Sequence, residues 1–263
     1  MRRLPERGVS LLEAMLALSL FTLLGVIGAY ALRGSIQVHS RVSSQQAAEQ
    51  SVTRAVSRLD RELLAASAFE IGTADVPAHL GGGGLDGQAV WFLSDVDPAT
   101  GQSKRTVDGS PFWQKTILYY LVVPNNHDAL CGYTCAGGVA PSGSYDDRCP
   151  HKVLVRKVLD VGSDTDLSDE ATAESLPSNV NAWLTQPDAF DVSGLAGEVD
   201  LEQVEVVAGD LLWFTVDLAA PEVTVTVKAA PWGDLEKRLA VGSTSLEGQP
   251  GVREHRYTLT LRH

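Results

Sequence analysis

Residues 8–32 read GVSLLEAMLALSLFTLLGVIGAYAL and follow the short basic leader MRRLPER. Residues 14–32 contain no charged side chain. A helix rises about 1.5 Å per residue, so this charge-free run comes to roughly the thickness of the apolar core of a bilayer. The sequence therefore predicts a helix over residues 9–33 that can span a membrane, and the arginines of the leader favour a cytoplasmic start.

Glu13 is the one carboxylate inside this apolar stretch. An ionised side chain at membrane depth costs on the order of 2.5 to 3.5 kcal/mol, so its presence usually indicates a partner. Cleavage of the chain after Gly8 would create a new α-amine on Val9, four residues before Glu13. The amine of one subunit could then neutralise the carboxylate of a neighbouring subunit.

Gly8, the apolar segment after it and Glu13 together resemble the class III signal of type IV pilins and pseudopilins. The resemblance implies that a prepilin peptidase cuts between Gly8 and Val9, that the amine of Val9 is methylated, and that Glu13 sets the register of subunits in a filament. Val9 stands where the family typically has phenylalanine. Two alternatives remain open, namely a secretory signal cleaved near Ala29-Tyr30-Ala31 and a plain signal anchor.

Length and charge restrict the function classes. The 263 residues leave room for one domain of roughly 200 residues after the apolar helix. The net charge is −12, and removal of residues 1–8, which carry three arginines and one glutamate, takes it to −12 − (3 − 1) = −14. Such an acidic domain repels phosphate backbones, so we expect no nucleic-acid partner. The sequence has no nucleophile elbow, P-loop or H-E-x-x-H motif, so we expect no enzymatic activity and no cofactor.

The chain after the apolar stretch keeps a helical period. Val52, Val56, Leu59 and Leu63 recur every three or four residues and predict an amphipathic helix. We therefore expect four parts: a cleaved leader (1–8), a membrane or filament-core helix (9–33), an amphipathic helix that packs on the head (34–68), and a β-rich head (69–263) with a cysteine-containing insertion (124–151).

Segments rich in β-branched and aromatic residues follow, separated by turn-rich stretches. They cover residues 89–93, 116–123, 152–159, 211–216, 223–228 and 257–262. A helix followed by such strands predicts an α+β fold in which the long N-terminal α-helix packs on an antiparallel β-sheet head. This is also the architecture that the resemblance to pilins implies.

The order of these segments narrows the resemblance. The helix end SRLDRELLAAS, the strand VWF, the strand LYYL, a long insertion and then VLVR are similar to W-type minor pilins of type IV pili and to J-type pseudopilins of type II secretion. The resemblance implies a minor pilin that helps prime pilus assembly and sits at or near the tip.

The partners of such a subunit would be other minor pilins, the major pilin, the prepilin peptidase and the inner-membrane assembly platform. It would be a single-pass inner-membrane protein with a periplasmic head until assembly places it in the pilus. A J-type subunit of a secretion pseudopilus, a tip adhesin and a DNA-uptake subunit are the alternatives.

The insertion holds Cys131, Cys135 and Cys149. An extracytoplasmic head would lie in an oxidising compartment, so these three are disulfide candidates. His127 and His151 flank the same insertion, and a metal site formed with the cysteines is the alternative interpretation. Free thiols are the third.

Residues 158–170 are rich in carboxylates. Asp160, Asp164, Asp166 and Asp169 are weak calcium candidates, because the ordered EF-hand spacing is missing. A solvated acidic loop is the simpler expectation, and we predict no metal there.

Overall fold

The computed structural model describes residues 10–64, 66, 70–82, 86–97, 100–127, 129, 149, 151–162, 164–229 and 252–261. The chain divides into two compact units, with the boundary between Ser43 and Ser44. The first helix, α1 (Leu11–Leu63), has 53 residues and contributes to both units. The amphipathic helix predicted over residues 34–68 is part of α1, which ends at Leu63.

The part of α1 in the first unit is the predicted apolar helix. Leu11–His39 is long and apolar enough to cross a membrane, and its most apolar window is 0% buried. One helix of this kind occurs among the described residues. The expectation of a membrane-spanning helix is confirmed at the level of length and composition.

In the second unit, α1 buries one face. The buried side chains recur every three or four residues and are Ala48, Val52, Ala55, Leu59 and Leu63. They share one hydrophobic core with strands of the sheet, and Val56 packs against this core at partial exposure. The predicted amphipathic face is present. Ala48 and Ala55, which the prediction did not include, belong to the same buried face.

The strands of the described residues form a single seven-stranded sheet, in which every neighbouring pair is antiparallel and strand order follows chain order. The strands are β1 (Ile71–Ala74), β2 (Ala89–Ser94), β3 (Lys115–Val122), β4 (Lys152–Leu159), β5 (Leu201–Ala219), β6 (Glu222–Ala229) and β7 (Arg253–Thr260). Each predicted strand segment overlaps one of β2 to β7, and β1 was not predicted. The α+β fold with an antiparallel sheet is therefore confirmed.

β5 is much longer than predicted because it serves two neighbours in succession. Its residues from Leu201 to Leu211 pair with β4, and those from Leu211 to Ala219 pair with β6. The pairing changes next to Asp210, which has a positive φ of 55°. Register shifts in the β4–β5 pairing accompany this change, as bulges do when they redirect a strand.

The central strands are buried on both faces. Val90, Ile117 and Tyr119 lie in the core that includes α1, whereas Trp91, Leu118 and Tyr120 lie in a second core on the opposite face. The segment between β4 and β5 covers this second face with Val180 and Leu184, which flank a short 3-10 helix (Asn181–Trp183). Burial on both faces explains why β2 and β3 are nearly continuous apolar runs rather than alternating ones, whereas β4 buries Lys152, Arg156 and Lys157 among its apolar residues.

A network of charged groups joins α1 to the sheet within the second unit. Arg156 of β4 is 1% exposed, and its Nε lies 3.0 Å from Glu62 Oε2. Tyr119 of β3 donates its hydroxyl to the same oxygen at 2.6 Å. Glu205 of β5 accepts from Arg58 at 3.0 Å and lies 3.2 Å from Arg156 Nη1. Glu62 is thus the acidic group through which the helix neutralises a buried guanidinium.

We expect Glu62→Ala to lower the free energy of unfolding of the second unit by about 3 kcal/mol, because it removes the carboxylate that pairs with the buried Arg156 Nε and leaves the neutral Gln203 and the partly exposed Glu205 beside the guanidinium. The matched control is Glu49→Ala on the same helix, whose pair with Arg253 is exposed at both partners. That change should cost about 0 to 1 kcal/mol. Urea unfolding of the full chain in detergent, followed by tryptophan fluorescence, measures both.

The double variant Glu62→Gln, Arg156→Met removes both charges and keeps an acceptor for the Tyr119 hydroxyl. It should lose less stability than Glu62→Ala alone, since an uncompensated buried charge is the main cost. Equal losses for Glu62→Ala and Glu49→Ala would contradict this account of the network.

Candidate functional site

The first candidate site is the surface of α1 in the first unit. Its large apolar side chains are exposed around the whole helix, for example Leu11 at 81% and Phe21 at 77%. The others include Leu12, Met15, Leu16, Leu18, Leu20, Leu23, Leu24, Val26, Ile27, Tyr30, Leu32, Ile36 and Val38. A helix that is apolar on every side is stable only inside lipid or among other apolar helices. By its length and composition, this helix can cross a membrane.

Glu13 lies in the first turn of α1 and completes a capping box. Its Oε2 accepts a hydrogen bond from the backbone N–H of Ser10 at 2.9 Å. In return its own N–H donates to Ser10 Oγ at 3.2 Å. The arrangement satisfies two of the backbone donors that every helix start leaves without intrahelical partners. The negative charge also complements the positive end of the helix dipole.

The capping box is a local role for Glu13 that the sequence interpretation missed. Its signal, Ser followed three residues later by Glu before an apolar run, is visible in the sequence. The cap uses one of the two carboxylate oxygens, so it is compatible with a second partner for the other. Gly8 and Val9, between which cleavage is predicted, lie outside the described residues.

The second candidate site lies at one end of the sheet, where β3 ends and β4 begins. Val122 pairs with Val153, so residues 123–127, which follow β3, and His151, which precedes β4, lie at the same end of the sheet. This topology brings together His127, Cys149 and His151, which are 1%, 0% and 6% exposed.

The three side chains of this second site, the His127/Cys149/His151 cluster, present their ligand atoms to one another. His127 Nε2 lies 3.0 Å from His151 Nδ1. Cys149 Sγ lies 3.5 Å from His127 Nε2 and 3.9 Å from His151 Nδ1. The ligand atoms of the cluster all fall within 4.8 Å of one another. Burial, and then the neighbouring His127, lower the pKa of His151 to about 4, which keeps its imidazole neutral near pH 7.

Of the three disulfide candidates, Cys149 lies among the described residues. Cys149 is disulfide-bonded, and its partner lies outside the described residues. Cys131 and Cys135 also lie outside the described residues. Of the five residues that the sequence grouped as possible metal ligands, the described residues bring together His127, Cys149 and His151.

Three of the four weak calcium candidates, Asp160, Asp166 and Asp169, accept local hydrogen bonds. Asp160 Oδ2 accepts from Lys115 Nζ at 2.6 Å, and Thr165 Oγ1 donates to Asp160 Oδ1 at 2.8 Å. Partial burial raises the pKa of Asp160, but these hydrogen bonds outweigh burial and leave its pKa below the usual value.

The other three acidic residues lie at the surface of the same segment. Asp166 accepts from Ser168, Asp169 caps a short 3-10 helix (Glu170–Thr172), and Asp164 lines an open cleft that also contains Lys115. In the part of the chain that the structure describes, the group whose ligand atoms converge is the His127/Cys149/His151 cluster, not these carboxylates.

The described chain is thus an α+β protein with one N-terminal helix long and apolar enough to cross a membrane. No family model, no curated protein and no solved structure matches it.

Proposed function

We propose that this chain is a subunit of a pilin-like filament, anchored by α1 in the inner membrane with its head in the periplasm until assembly. The observation that carries the proposal is the apolar surface of α1 before Ser43, which is exposed on every side and has a lone carboxylate in its first turn. Lipid covers such a helix in the membrane, and the helices of other subunits cover it in a filament. The resemblance of residues 8–32 to a class III signal supports the same function.

Within this class we propose a W-like minor pilin that primes assembly and sits at or near the tip. Packing of its helix against the helices of other minor pilins replaces contacts with lipid. The α-amine of Val9 from a neighbouring subunit meets Glu13, so the two charges neutralise each other where neither is well hydrated. This exchange lowers the cost of moving the first subunits out of the membrane.

Two variants separate the charge of Glu13 from its role in the helix cap. Glu13→Gln keeps a capping residue, since glutamine also serves at this position of a capping box, but it removes the charge. Ser10→Ala removes the hydroxyl that accepts from the Glu13 N–H and keeps the charge. We expect Glu13→Gln to reduce incorporation into filaments by about tenfold or more, equivalent to about 1.4 kcal/mol, and Ser10→Ala to leave it near the wild-type level.

The measurement is an immunoblot of the full-length chain in sheared filaments relative to the chain in the membrane fraction. Each variant must reach the membrane in wild-type amounts, which the same blot reports. If Glu13→Gln incorporates normally and Ser10→Ala does not, Glu13 acts as a helix cap only and the charge mechanism is wrong. The type of filament that contains the chain, a pilus or a secretion pseudopilus, also distinguishes the W-like subunit from a J-type one.

Processing of the N-terminus provides an independent prediction. Mass analysis of the membrane-extracted chain should give a start at Val9, with a methyl group on its amine. Gly8→Leu should leave the leader attached, because it removes the small residue before the predicted cut. A wild-type chain that starts at Met1 would indicate a plain anchor, and one that starts after Ala31 would indicate a secretory signal.

A further inference from the structure

The His127/Cys149/His151 cluster has a geometry that the filament function does not require. With Zn–N bonds of about 2.0 to 2.1 Å and Zn–S bonds of about 2.3 Å, a tetrahedral zinc site separates two nitrogens by about 3.3 Å and a nitrogen from a sulfur by about 3.6 Å. The observed separations are 3.0 Å for the two nitrogens, and 3.5 and 3.9 Å for the nitrogen–sulfur pairs. Three corners of a tetrahedron are therefore almost in place.

The protein scaffold holds these atoms with little freedom. His151 directly precedes β4, and His127 follows β3 by five residues. The two strands pair in register up to Val122 and Val153, so the sheet fixes the backbone next to His151. The segment that carries His127 is held by backbone hydrogen bonds from Asn125 to Pro187 and from His127 to Pro124. All three side chains are buried, which restricts their rotamers and excludes most water. Preorganised ligands in a buried position are what a tight metal site requires.

We propose that His127 Nε2, Cys149 Sγ and His151 Nδ1 form a zinc site that can be filled only when the disulfide of Cys149 is reduced. Two imidazoles and one thiolate are a ligand set that zinc prefers, and a water molecule or another donor completes four-coordination. A sulfur that belongs to a disulfide carries no thiolate charge. The disulfide and the metal therefore compete for the same atom.

The chemical steps balance with a dithiol as reductant. The dithiol transfers two electrons and two protons to the disulfide, which becomes two thiols, while the dithiol becomes a cyclic disulfide. Zinc then replaces the proton of the Cys149 thiol, and one proton is released. The hydrogen bond between the imidazoles requires a proton on one of the two facing nitrogens. Metal binding places the ring protons on His127 Nδ1 and His151 Nε2 instead.

The test uses the purified full chain in detergent, with Co²⁺ as a spectroscopic probe for a zinc site. One sample is air-oxidised, and the other is reduced with dithiothreitol, which is removed without oxygen before titration. We expect the reduced chain to bind one equivalent of Co²⁺ with the visible bands of a tetrahedral site and a thiolate-to-cobalt charge-transfer band. Added Zn²⁺ should abolish both. The oxidised chain should show no charge-transfer band.

Variants assign the ligands. Cys149→Ser should remove the charge-transfer band, and His127→Gln or His151→Gln should weaken Co²⁺ binding by about 100-fold or more, since loss of even a supporting group typically costs 10- to 100-fold. His79→Gln is the matched control, because His79 is exposed and lies outside the cluster. The double variant Cys131→Ser, Cys135→Ser leaves Cys149 as the one cysteine and should bind Co²⁺ without a reductant.

Near-ultraviolet circular dichroism establishes whether each variant is folded. If the double variant Cys131→Ser, Cys135→Ser does not fold, the reduced wild-type chain still tests the proposal. The proposal is overturned if the reduced, folded wild-type chain binds no Co²⁺. It is also overturned if Cys149→Ser gives the same spectrum as the wild type, or if the oxidised and reduced chains bind equally. None of these results depends on filament assembly, so failure here and failure of the proposed function are distinguishable.

Discussion

The head is organised by a sheet whose central strands are buried on both faces. Such strands cannot face water, so each face needs its own covering layer. The second half of α1 covers one face, and the segment between β4 and β5 covers the other. The same requirement explains why residues 160–200, an irregular segment with three short 3-10 helices, contribute side chains to the second core.

Two consecutive residues of β4 connect the sheet to these two layers. Because side chains alternate along a strand, Arg156 and Lys157 point to opposite faces, and both are almost fully buried. Arg156 meets Glu62 of α1, whereas Lys157 Nζ donates to the carbonyl of Trp183 at 2.7 Å and lies 2.5 Å from Glu198. Each cation therefore requires the correct layer on its own face. Loss of the partner on either face would leave a buried cation uncompensated, which is strongly destabilising.

The sequence predicted those parts of the fold that have a local period. The stripe from Val52 to Leu63 and the apolar runs of β2, β3 and β4 were found because burial produces a pattern within a few residues. The missed parts depend on contacts between distant residues: β1 is a short strand with only partly buried side chains, and the extent of β5 is set by its two partners. The residues of the His127/Cys149/His151 cluster were grouped as possible ligands because they are close in sequence, but the pairing of β3 with β4 sets their geometry. Glu13 is the opposite case, because its local capping signal was present and was overlooked in favour of a long-range partner.

The second unit, residues 44–263, forms its hydrophobic core from its own residues. The core that includes α1 begins at Ala48, and the charged network begins at Arg58, so no described side chain of residues 10–43 belongs to either. The apolar surface of that part of α1 therefore lies outside this core, and it would be costly to expose to water. Its length and composition are those of a helix that can cross a membrane, where an apolar surface on every side is stable. In the filament that we propose, the trimmed N-terminus of a neighbouring subunit gives the Glu13 carboxylate the cation that a bilayer core lacks.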